Sequence, residues 1–357
     1  MAYSLHMDKL DIPTVEQLND APLWKELRDA HRYLGEFKGL CVTLPNPNSV
    51  IQCLVLREAK DSSEIENIIT THDSMYASNV SDEPLGIAEK EIEYYEEALL
   101  KGFDIVSDER MCRLDTILLI QSEIEKNNAG LRRVPGTVLR NDTTGETIYE
   151  PPQSKEVVER LMSELVTFMH EDDDMDELIR MAVTHHQFES IHPFYDGNGR
   201  AGRILNILML VKSGLLDLPV FYLSRYINQT KQSYYGLLQE TRETKDWLPW
   251  CKYIVKGVKE TAQKEIEFLK KYRELMARYK HEIRAQLPNL YSQDLLNRLF
   301  AYPYTKIDFL MRELRISRPT ASKYLDFLCQ HEFLVRKKIG RNYFFINQPL
   351  LDLITHY

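Results

Sequence analysis

The sequence is poor in long apolar runs and in cysteines. No window of its 357 residues approaches 18 unbroken apolar residues, so we expect no membrane-spanning helix. The first eight residues contain no basic stretch followed by an apolar run, which is unlike a secretory signal, and we expect a cytoplasmic protein. The five cysteines are widely spaced and form no Cys-x-x-Cys pair, which favours reduced thiols over a disulfide or zinc framework.

Charge is distributed unevenly along the chain. The net charge is −9, but the residues from Gln286 to the end contain 10 Lys and Arg against 6 Asp and Glu. The C-terminal region is therefore basic and the rest is acidic, so we expect the two parts to face different kinds of partner. The apolar share of 43% and the charged share of 28% are typical of globular proteins, and the length predicts two or three domains.

Apolar residues at helical spacing predict a mostly α-helical chain. Leu23, Leu27, Ala30 and Leu34 form one stripe in an N-terminal helical region that we bound at residues 1–105. A central core over residues 106–260, a helical connector over 261–289 and a small domain over 290–357 are predicted to follow. The connector is expected to be a separate charged helix over Thr261–Arg284.

The central region combines helices with one predicted β-hairpin. Helices are expected over Asp108–Lys126 and Leu178–Phe188. Two β-prone runs, Thr137–Arg140 and Thr147–Tyr149, flank a turn-rich tip, which is typical of a hairpin.

The segment Ile191–Arg203 concentrates residues suited to binding anions. Gly197 and Gly199 permit positive φ and exposed backbone N–H groups, and the helix predicted to begin near Arg200 adds its own N–H groups and positive dipole end. Arg200 and Arg203 project from one helical face and add two planar donor forks. The segment therefore predicts a cradle for several phosphates.

Two further side chains suit a reaction on such a ligand. Asp196 places a carboxylate at the rim of the cradle, where Mg²⁺ is usually held together with substrate oxygens. His192 has an ordinary pKa that permits proton abstraction near neutral pH. The alternative interpretation is that Asp-Gly-Asn-Gly forms only a turn and that Arg200 and Arg203 lie at a solvated helix start. For a Gly-Asn-Gly sequence without the other residues, this alternative would be preferred.

These residues resemble the Fic family signature, His-x-Phe-x-(Asp/Glu)-Gly-Asn-Gly-Arg-x-x-Arg, with every specified position filled. The resemblance implies a mostly α fold, a Fic-type helical bundle with a small β-hairpin flap. It also implies transfer of AMP from ATP to a hydroxyl side chain of a target protein. Glycine at position 199, where the similar Doc-type kinases carry lysine, favours nucleotidyl transfer.

The same resemblance implies a role for each signature residue. His192 is the general base and Asp196 holds Mg²⁺, while Phe194 is expected to anchor the loop in the core. The α- and β-phosphates are assigned to Gly197, Asn198 and Gly199, and the outer phosphates to Arg200 and Arg203.

An upstream segment, Ser62 to Asn67, matches the family's inhibitory pattern (Ser/Thr)-x-x-x-Glu-(Gly/Asn). The specified places are filled by Ser62, Glu66 and Asn67. The resemblance implies that Glu66 pairs with Arg203 where the γ-phosphate should sit, so that ATP binds unproductively. In some relatives this glutamate also supports removal of AMP. A helix start capped by Asp61 or Ser62 is the structural alternative.

The hairpin at residues 136–150 fits the family's flap, whose edge pairs with target backbone by strand addition. Covering the bundle is the alternative role. Adenine contacts are expected between Tyr226 and Tyr235, with Asn228, Tyr234 and Tyr235 as candidates, although the tyrosines equally fit a helix core. The pair His185–His186 is expected to be structural.

The C-terminal region resembles a winged helix-turn-helix domain, with three helices followed by a basic hairpin. The candidate DNA-binding residues are Arg318, Thr320, Ser322 and Lys323 on the third helix and Lys337, Lys338 and Arg341 on the hairpin. Many winged helices bind proteins instead and the positive charge here is modest, so DNA binding is one of two alternatives.

The leading hypothesis is a self-inhibited protein adenylyltransferase that uses ATP and Mg²⁺ and modifies Ser, Thr or Tyr hydroxyls of a target protein and of itself. The alternatives are a nucleotide-sensing, DNA-binding transcriptional regulator, an enzyme that both adds and removes AMP, and transfer of another group such as UMP. His192 favours an enzyme, because a sensor needs phosphate ligands but no general base. The oligomeric state stays open, a homodimer included.

Overall fold

The computed structural model describes residues 7–44, 46–80, 85–140, 144–339 and 342–357. Over these residues the chain is mainly α-helical with five short strands. A 3₁₀ turn at Glu16–Leu18 precedes the N-terminal helices. These helices are α1 (Ala21–Val42), α2 (Pro47–Ile65), α3 (His72–Asn79) and α4 (Ile87–Glu109).

The central part consists of a hairpin and seven helices among the described residues. Its elements are α5 (Leu114–Glu125), β1 (Leu139–Arg140), β2 (Thr147–Tyr149), α6 (Lys155–Phe168), α7 (Glu177–Ile191), α8 (Asn198–Lys212), α9 (Leu223–Gln229), α10 (Lys231–Thr244) and α11 (Leu248–Gln286). β1 and β2 pair antiparallel, as the sequence predicted, with Leu139 opposite Tyr149. The hairpin tip at 141–143 lies outside the described residues.

The C-terminal part contains the three helices and the hairpin that the sequence predicts. Its elements are α12 (Gln293–Ala301), β3 (Tyr304–Thr305), α13 (Ile307–Leu314), α14 (Arg318–Gln330), β4 (Val335–Ile339), β5 (Asn342–Ile346) and α15 (Gln348–His356). The three strands form an antiparallel sheet in the order β3-β5-β4. β3 and α15 were not predicted from the sequence, because a two-residue strand carries no alternation and α15 follows a hairpin without a clear break.

The helix α1 is amphipathic and packs along α11. The Asp20 side chain caps it by accepting the Leu23 N–H at 2.8 Å. The predicted stripe faces the core, since its four residues are at most 3% exposed. The stripe prediction is therefore confirmed.

Two predicted helices have different bounds in the structure. The helix expected over Asp108–Lys126 begins at Leu114, because α4 ends at Glu109 and Arg110 takes up a left-handed conformation. The prediction of a separate helix over Thr261–Arg284 was wrong. That stretch belongs to the 39-residue helix α11, one side of which is buried along much of its length. Most of its charged residues, with Glu265 as an exception, lie on the other side, and they concealed the apolar stripe.

The helices α7 and α8 form the centre of the bundle. All residues from Leu178 to Ile191 are buried, as is α8 apart from Gly199 and Lys212. The two helices pack against each other, so the loop between them lies at one end of the bundle. This loop and the first turns of α8 contain the signature residues of the predicted site, from His192 to Arg203.

The helix α2 contacts both the central and the C-terminal parts of the chain. Its Ser49 hydroxyl donates to the Asn297 carbonyl of α12 at 3.2 Å. Further along, Arg57 forms a buried ion pair with Glu265 of α11, each side chain being 2% exposed. These contacts fix the direction of α2 before it reaches Ser62.

Loss of the buried Arg57–Glu265 pair is expected to destabilise the protein strongly. Arg57→Met leaves the Glu265 carboxylate buried without its cation, which costs about 3–5 kcal/mol. Thermal or urea unfolding monitored by circular dichroism measures the effect. The control is Arg113→Ala, which breaks an exposed pair with Glu109 and is expected to cost about 1 kcal/mol or less. Equal effects of the two changes would contradict the prediction.

No described helix has the length and apolar character needed to cross a bilayer. All five cysteines are free thiols, and four of them are buried. Burial raises the pKa of the Cys53 and Cys112 thiols to about 12, so both stay protonated.

Candidate active site

The loop between α7 and α8 is fixed by contacts from an upstream arginine. His192 ends α7 in the left-handed region with φ 48°, and its backbone N–H donates to the Phe188 carbonyl at 2.9 Å. The Arg132 guanidinium donates to the carbonyls of His192 and Ile191 at 2.7 and 3.1 Å. Phe194 is fully buried, as expected for a residue that anchors the loop in the core.

The Asn198 side chain organises the loop. Its Oδ1 accepts the Phe194 N–H at 2.8 Å and its Nδ2 donates to the Phe194 carbonyl at 3.0 Å. Both ends of the amide are thereby used, so its contribution to an anion site is the backbone N–H at the start of α8. Among the described residues, no side chain caps that start. The first-turn N–H groups of α8 are therefore available to an anion.

The two glycines of the loop have different roles. Gly197 has φ 78°, which a residue with a side chain rarely adopts. Gly199 lies within the first turn of α8 and does not have the positive φ that we expected. A side chain there would instead crowd the ion pair, because a Cβ at position 199 would lie 2.5 Å from Glu66 Oε1 and 2.9 Å from Arg203 Nη1.

Arg200 and Arg203 are both buried, each 3% exposed, and both bind Glu66. Arg200 Nε donates to Glu66 Oε2 at 3.0 Å, and Arg203 Nη2 donates to Glu66 Oε1 at 2.7 Å. Arg203 also donates from Nε to the Ser62 hydroxyl at 2.7 Å and from Nη2 to the Ser62 carbonyl at 2.9 Å. One carboxylate thus receives both guanidinium groups.

The segment that supplies this carboxylate is the end of a helix and not its start. Ser62 lies in the last turns of α2, which ends at Ile65, so the alternative of a capped helix start was wrong. Asn67 follows in the left-handed region with φ 62° and redirects the chain. The pattern Ser62–Asn67 therefore places Glu66 just beyond the end of a helix, opposite the cradle.

Arg200 has two further carboxylate partners that the sequence analysis missed. Its Nη1 binds Glu91 of α4, and its Nη2 donates to Glu125 Oε1 at the end of α5 at 2.6 Å. Burial raises the pKa of Glu125, although Arg200 opposes this effect. No local pattern marks either glutamate, because only the packing of α4 and α5 against α8 brings them to the cradle.

His192 lies beside the cradle with a lowered pKa. Burial, assisted by the positive charges of Arg242 and Arg132, lowers the pKa of His192 to about 4. Its Nδ1 has no hydrogen-bond partner within the described part of the chain. The imidazole is therefore neutral at physiological pH and able to accept a proton.

Asp196 is exposed at the rim of the loop, and its Oδ1 accepts the Gly197 N–H at 2.8 Å. Within the described residues, no group of three or more His, Cys, Asp or Glu forms a complete metal site. One accessible carboxylate beside a phosphate cradle nevertheless fits Mg²⁺, which is commonly held by one or two carboxylates together with substrate phosphates and water. The side chains present are thus compatible with a metal that arrives with its nucleotide.

The three adenine candidates lie in different environments. Tyr234 is 2% exposed and its hydroxyl is bound to His185 Nε2 at 2.9 Å, so it belongs to the core, as the alternative interpretation held. Asn228 is partly buried and helps to lower the pKa of the Glu64 carboxylate of α2, after Lys60. Tyr235 is 47% exposed, and it is the candidate with most surface open to a base. The histidine pair is structural: both rings are buried and pack on Trp250.

Several DNA-binding candidates already have acidic partners in the chain. Lys337 Nζ donates to Asp73 Oδ2 of α3 at 2.8 Å, and Arg318 is paired with Asp308. Ser322 donates to Asp326 Oδ2 at 3.4 Å. Thr320 is partly buried, Lys323 and Lys338 are exposed, and Arg341 lies outside the described residues.

Family comparisons agree with this geometry. The family model described as "Fic/DOC family N-terminal" matches residues 24–104, and the model described as "Fic/DOC family" matches residues 109–210. Together the two models cover more than half of the chain. The chain belongs to the Fic/DOC family. A third model, "Protein adenylyltransferase SoFic-like, C-terminal domain", matches residues 275–350.

Curated relatives of this Fic/DOC chain are named protein adenylyltransferases. A probable protein adenylyltransferase of Aquifex aeolicus is 34% identical over 90 residues, which are 25% of this chain and 28% of the relative. Protein adenylyltransferase fic-1 of Caenorhabditis elegans is 29% identical over 123 residues, which are 33% of this chain and 22% of the relative. The chain thus spans about a quarter of the length of these relatives.

Solved structures share the fold at low sequence identity. A Fic family protein from Desulfovibrio desulfuricans G20 aligns with a TM-score of 0.59 at 17% identity, covering 92% of this chain and 96% of that one. Fic-1 from C. elegans aligns with a TM-score of 0.54 at 21% identity, covering 70% of this chain and 73% of that one. The mostly helical Fic fold expected from the sequence is confirmed.

Proposed function

We propose that this chain transfers AMP from ATP to a hydroxyl side chain of a target protein and that Glu66 holds it in an inhibited state. The observation that carries the proposal is the pair of buried arginines at the glycine-rich start of α8, both bound to Glu66. A carboxylate at this place has the charge and the acceptor geometry of phosphate oxygens. The names of the curated relatives support the same activity.

The reaction assigns a distinct task to each part of the loop. The target hydroxyl oxygen attacks the α-phosphorus, a new P–O bond forms, and the bond to pyrophosphate breaks. Neutral His192 accepts the hydroxyl proton. The N–H groups at the start of α8 and the two arginines bind the phosphates, so that catalysis rests mainly on positioning and charge stabilisation. Asp196 would hold Mg²⁺, which would neutralise charge on the phosphates.

Inhibition follows from competition for the two arginines. Each oxygen of the Glu66 carboxylate accepts from a different guanidinium, at 3.0 Å from Arg200 and 2.7 Å from Arg203. A terminal phosphate would have to displace this carboxylate to reach Arg203. ATP could then bind only with its phosphates displaced from the attacking geometry.

The hairpin β1–β2 is proposed to receive the target. Most of its described residues are exposed, which leaves β1 accessible to an added strand, while Tyr149 is buried and anchors β2. Backbone pairing would bring a target hydroxyl towards His192 without strict sequence requirements.

Removal of Glu91 from the Arg200 cluster is expected to tighten nucleotide binding once Glu66 is gone. In the Glu66→Gly chain, Arg200 still pairs with Glu91, which is 26% exposed, and with Glu125. Glu91→Gln removes one competitor for the guanidinium, so the Kd for ATP should fall roughly threefold. Calorimetric titration measures this, with Glu93→Gln on the exposed side of α4 as the control. A weaker affinity in the Glu91 variant alone would count against the proposed phosphate site.

Incubation of the Glu66→Gly chain with Mg²⁺ and ATP labelled at the α-phosphate tests the proposal, with label on protein as the expected result. The alternatives give different outcomes. Salt-dependent retention on duplex DNA without labelling would indicate the transcriptional regulator. Preference for UTP would indicate UMP transfer. If the wild-type chain removes AMP from a labelled protein and the Glu66→Gly chain does not, Glu66 supports AMP removal.

A further inference from the structure

Arg242 of α10 is a buried cation without an ion-pair partner among the described residues. Its side chain is 7% exposed. Nε donates to the Ser190 hydroxyl at 2.9 Å, Nη2 to the Glu189 carbonyl at 3.3 Å and Nη1 to Gln239 Oε1 at 3.5 Å. These partners are neutral groups, so its positive charge is not compensated by contact, which is unusual for a buried arginine.

The groups that Arg242 binds belong to the last turn of α7. Ser190 and Glu189 immediately precede Ile191 and His192, where the helix ends in a left-handed conformation. A cation that binds a carbonyl and a hydroxyl at a helix C-terminus stabilises that end of the helix. Arg242 therefore holds the last turn of α7, directly before His192.

The other face of the guanidinium contacts the hairpin. Its central carbon lies 4.3 Å from the centre of the Tyr149 ring on β2. Arg242 thus connects three elements: the hairpin proposed to receive the target, α10, and the helix end that carries the base. Arg132, which binds the carbonyls of Ile191 and His192, holds the same turn from the opposite end of the hairpin segment.

We propose that Arg242 is a positioning residue for His192: it binds the last turn of α7 from α10, contacts the hairpin through Tyr149, and so orders the imidazole that follows that turn. This proposal rests on the proposed function in assigning His192 as the base. The charged groups that face His192 are Arg242 on α10 and Arg132 before the hairpin, and both lower its pKa, while the Glu189 carbonyl raises it. Removing the charge of Arg242 should therefore raise the pKa of His192.

Two variants separate the charge of Arg242 from its geometry. In the full-length Glu66→Gly chain, Arg242→Gln removes the charge and Arg242→Lys retains it without the planar fork. The acid limb of the pH profile is the fall of the labelling rate at low pH. We expect Arg242→Gln to raise the midpoint of this fall by about one pH unit. Arg242→Lys should leave the limb in place and lower the rate roughly tenfold through lost orientation. The Kd for ATP should stay within about twofold in both.

The matched control is Arg180→Gln, which changes a buried arginine near the start of α7 that binds the Phe168 carbonyl at 2.8 Å. This control should leave the acid limb where it is. An unchanged rate and pH profile in Arg242→Gln would overturn the proposal. A tenfold loss of ATP affinity without a shifted profile would also overturn it, because Arg242 would then be a nucleotide contact.

A second measurement does not depend on labelling activity. Histidine NMR signals of the full-length protein, assigned with His192→Ala, report the pKa of His192 directly. Arg242→Gln should raise that pKa and Arg180→Gln should not. A failure of the transferase proposal would abolish labelling in the parent but leave this shift intact, whereas an unshifted His192 signal would refute the role of Arg242.

Discussion

Replacing Glu66 with glycine is expected to increase the rate of AMP labelling roughly tenfold. In the structure the Glu66 carboxylate binds both Arg200 and Arg203, and a coupling of 1–3 kcal/mol between such competing ligands corresponds to roughly 5- to 150-fold. Of the two arginines, Arg203 should become the more accessible to a phosphate. After the change, Arg203 retains Ser62 as its partner, whereas Arg200 stays bound to Glu91 and Glu125.

Glu64→Gly provides a matched control for this change. Glu64 lies two residues earlier in α2, and its carboxylate pairs with Lys60 and not with the cradle. Glu64→Gly loosens the end of α2 but leaves the Glu66 carboxylate on both arginines, so labelling should stay low. A purified Glu66→Gly protein no more active than the wild type, or an equal gain in Glu64→Gly, would refute inhibition by competition.

Replacing His192 with alanine in the Glu66→Gly chain is expected to reduce labelling by about 10²- to 10⁴-fold. The hydroxyl proton then has no acceptor at the end of α7, although the phosphate-binding groups are unchanged. ATP affinity should consequently stay within about twofold, so the loss falls on the labelling step alone. His331→Ala, which changes an exposed histidine bound to Gln286, is the control.

The pH dependence of labelling gives a further check on His192. Because its pKa is lowered to about 4, the imidazole is already neutral at pH 6, and protonation removes the base only on approach to pH 4. The Glu66→Gly chain should keep its rate between pH 8 and pH 6. A rate that falls tenfold over this interval, with ATP binding unchanged, would show that another group titrates in the reaction.

Much of the site could be predicted because its residues are close together in the sequence. The loop from His192 to Arg203 needs only one turn between two helices, and the signature fixes both the residue types and their spacing. The contact between Glu66 and Arg203 followed from a pattern more than a hundred residues upstream, which became informative beside that signature. Periodicity identified α1 and the first three helices of the C-terminal part, α12 to α14, for the same local reason.

The missed features arise from tertiary packing. Glu91, Glu125 and Arg242 reach the loop from α4, α5 and α10, and no local spacing marks them as neighbours of α8 or His192. The role of Gly199 was misjudged for a related reason: it leaves room for the Glu66 and Arg203 side chains and does not have a positive φ. Tyr234 satisfied a residue-type argument for adenine, but its hydroxyl is used by His185 in the core.

The most direct test of the account is a crystal structure of the Glu66→Gly protein with Mg²⁺ and a non-hydrolysable ATP analogue. Competition between Glu66 and nucleotide predicts that the terminal phosphate contacts Arg203 where the Glu66 carboxylate lay, with the inner phosphates against the N–H groups at the start of α8 and the α-phosphorus facing His192. A triphosphate bound elsewhere, with Arg203 still turned away from it, would contradict that claim.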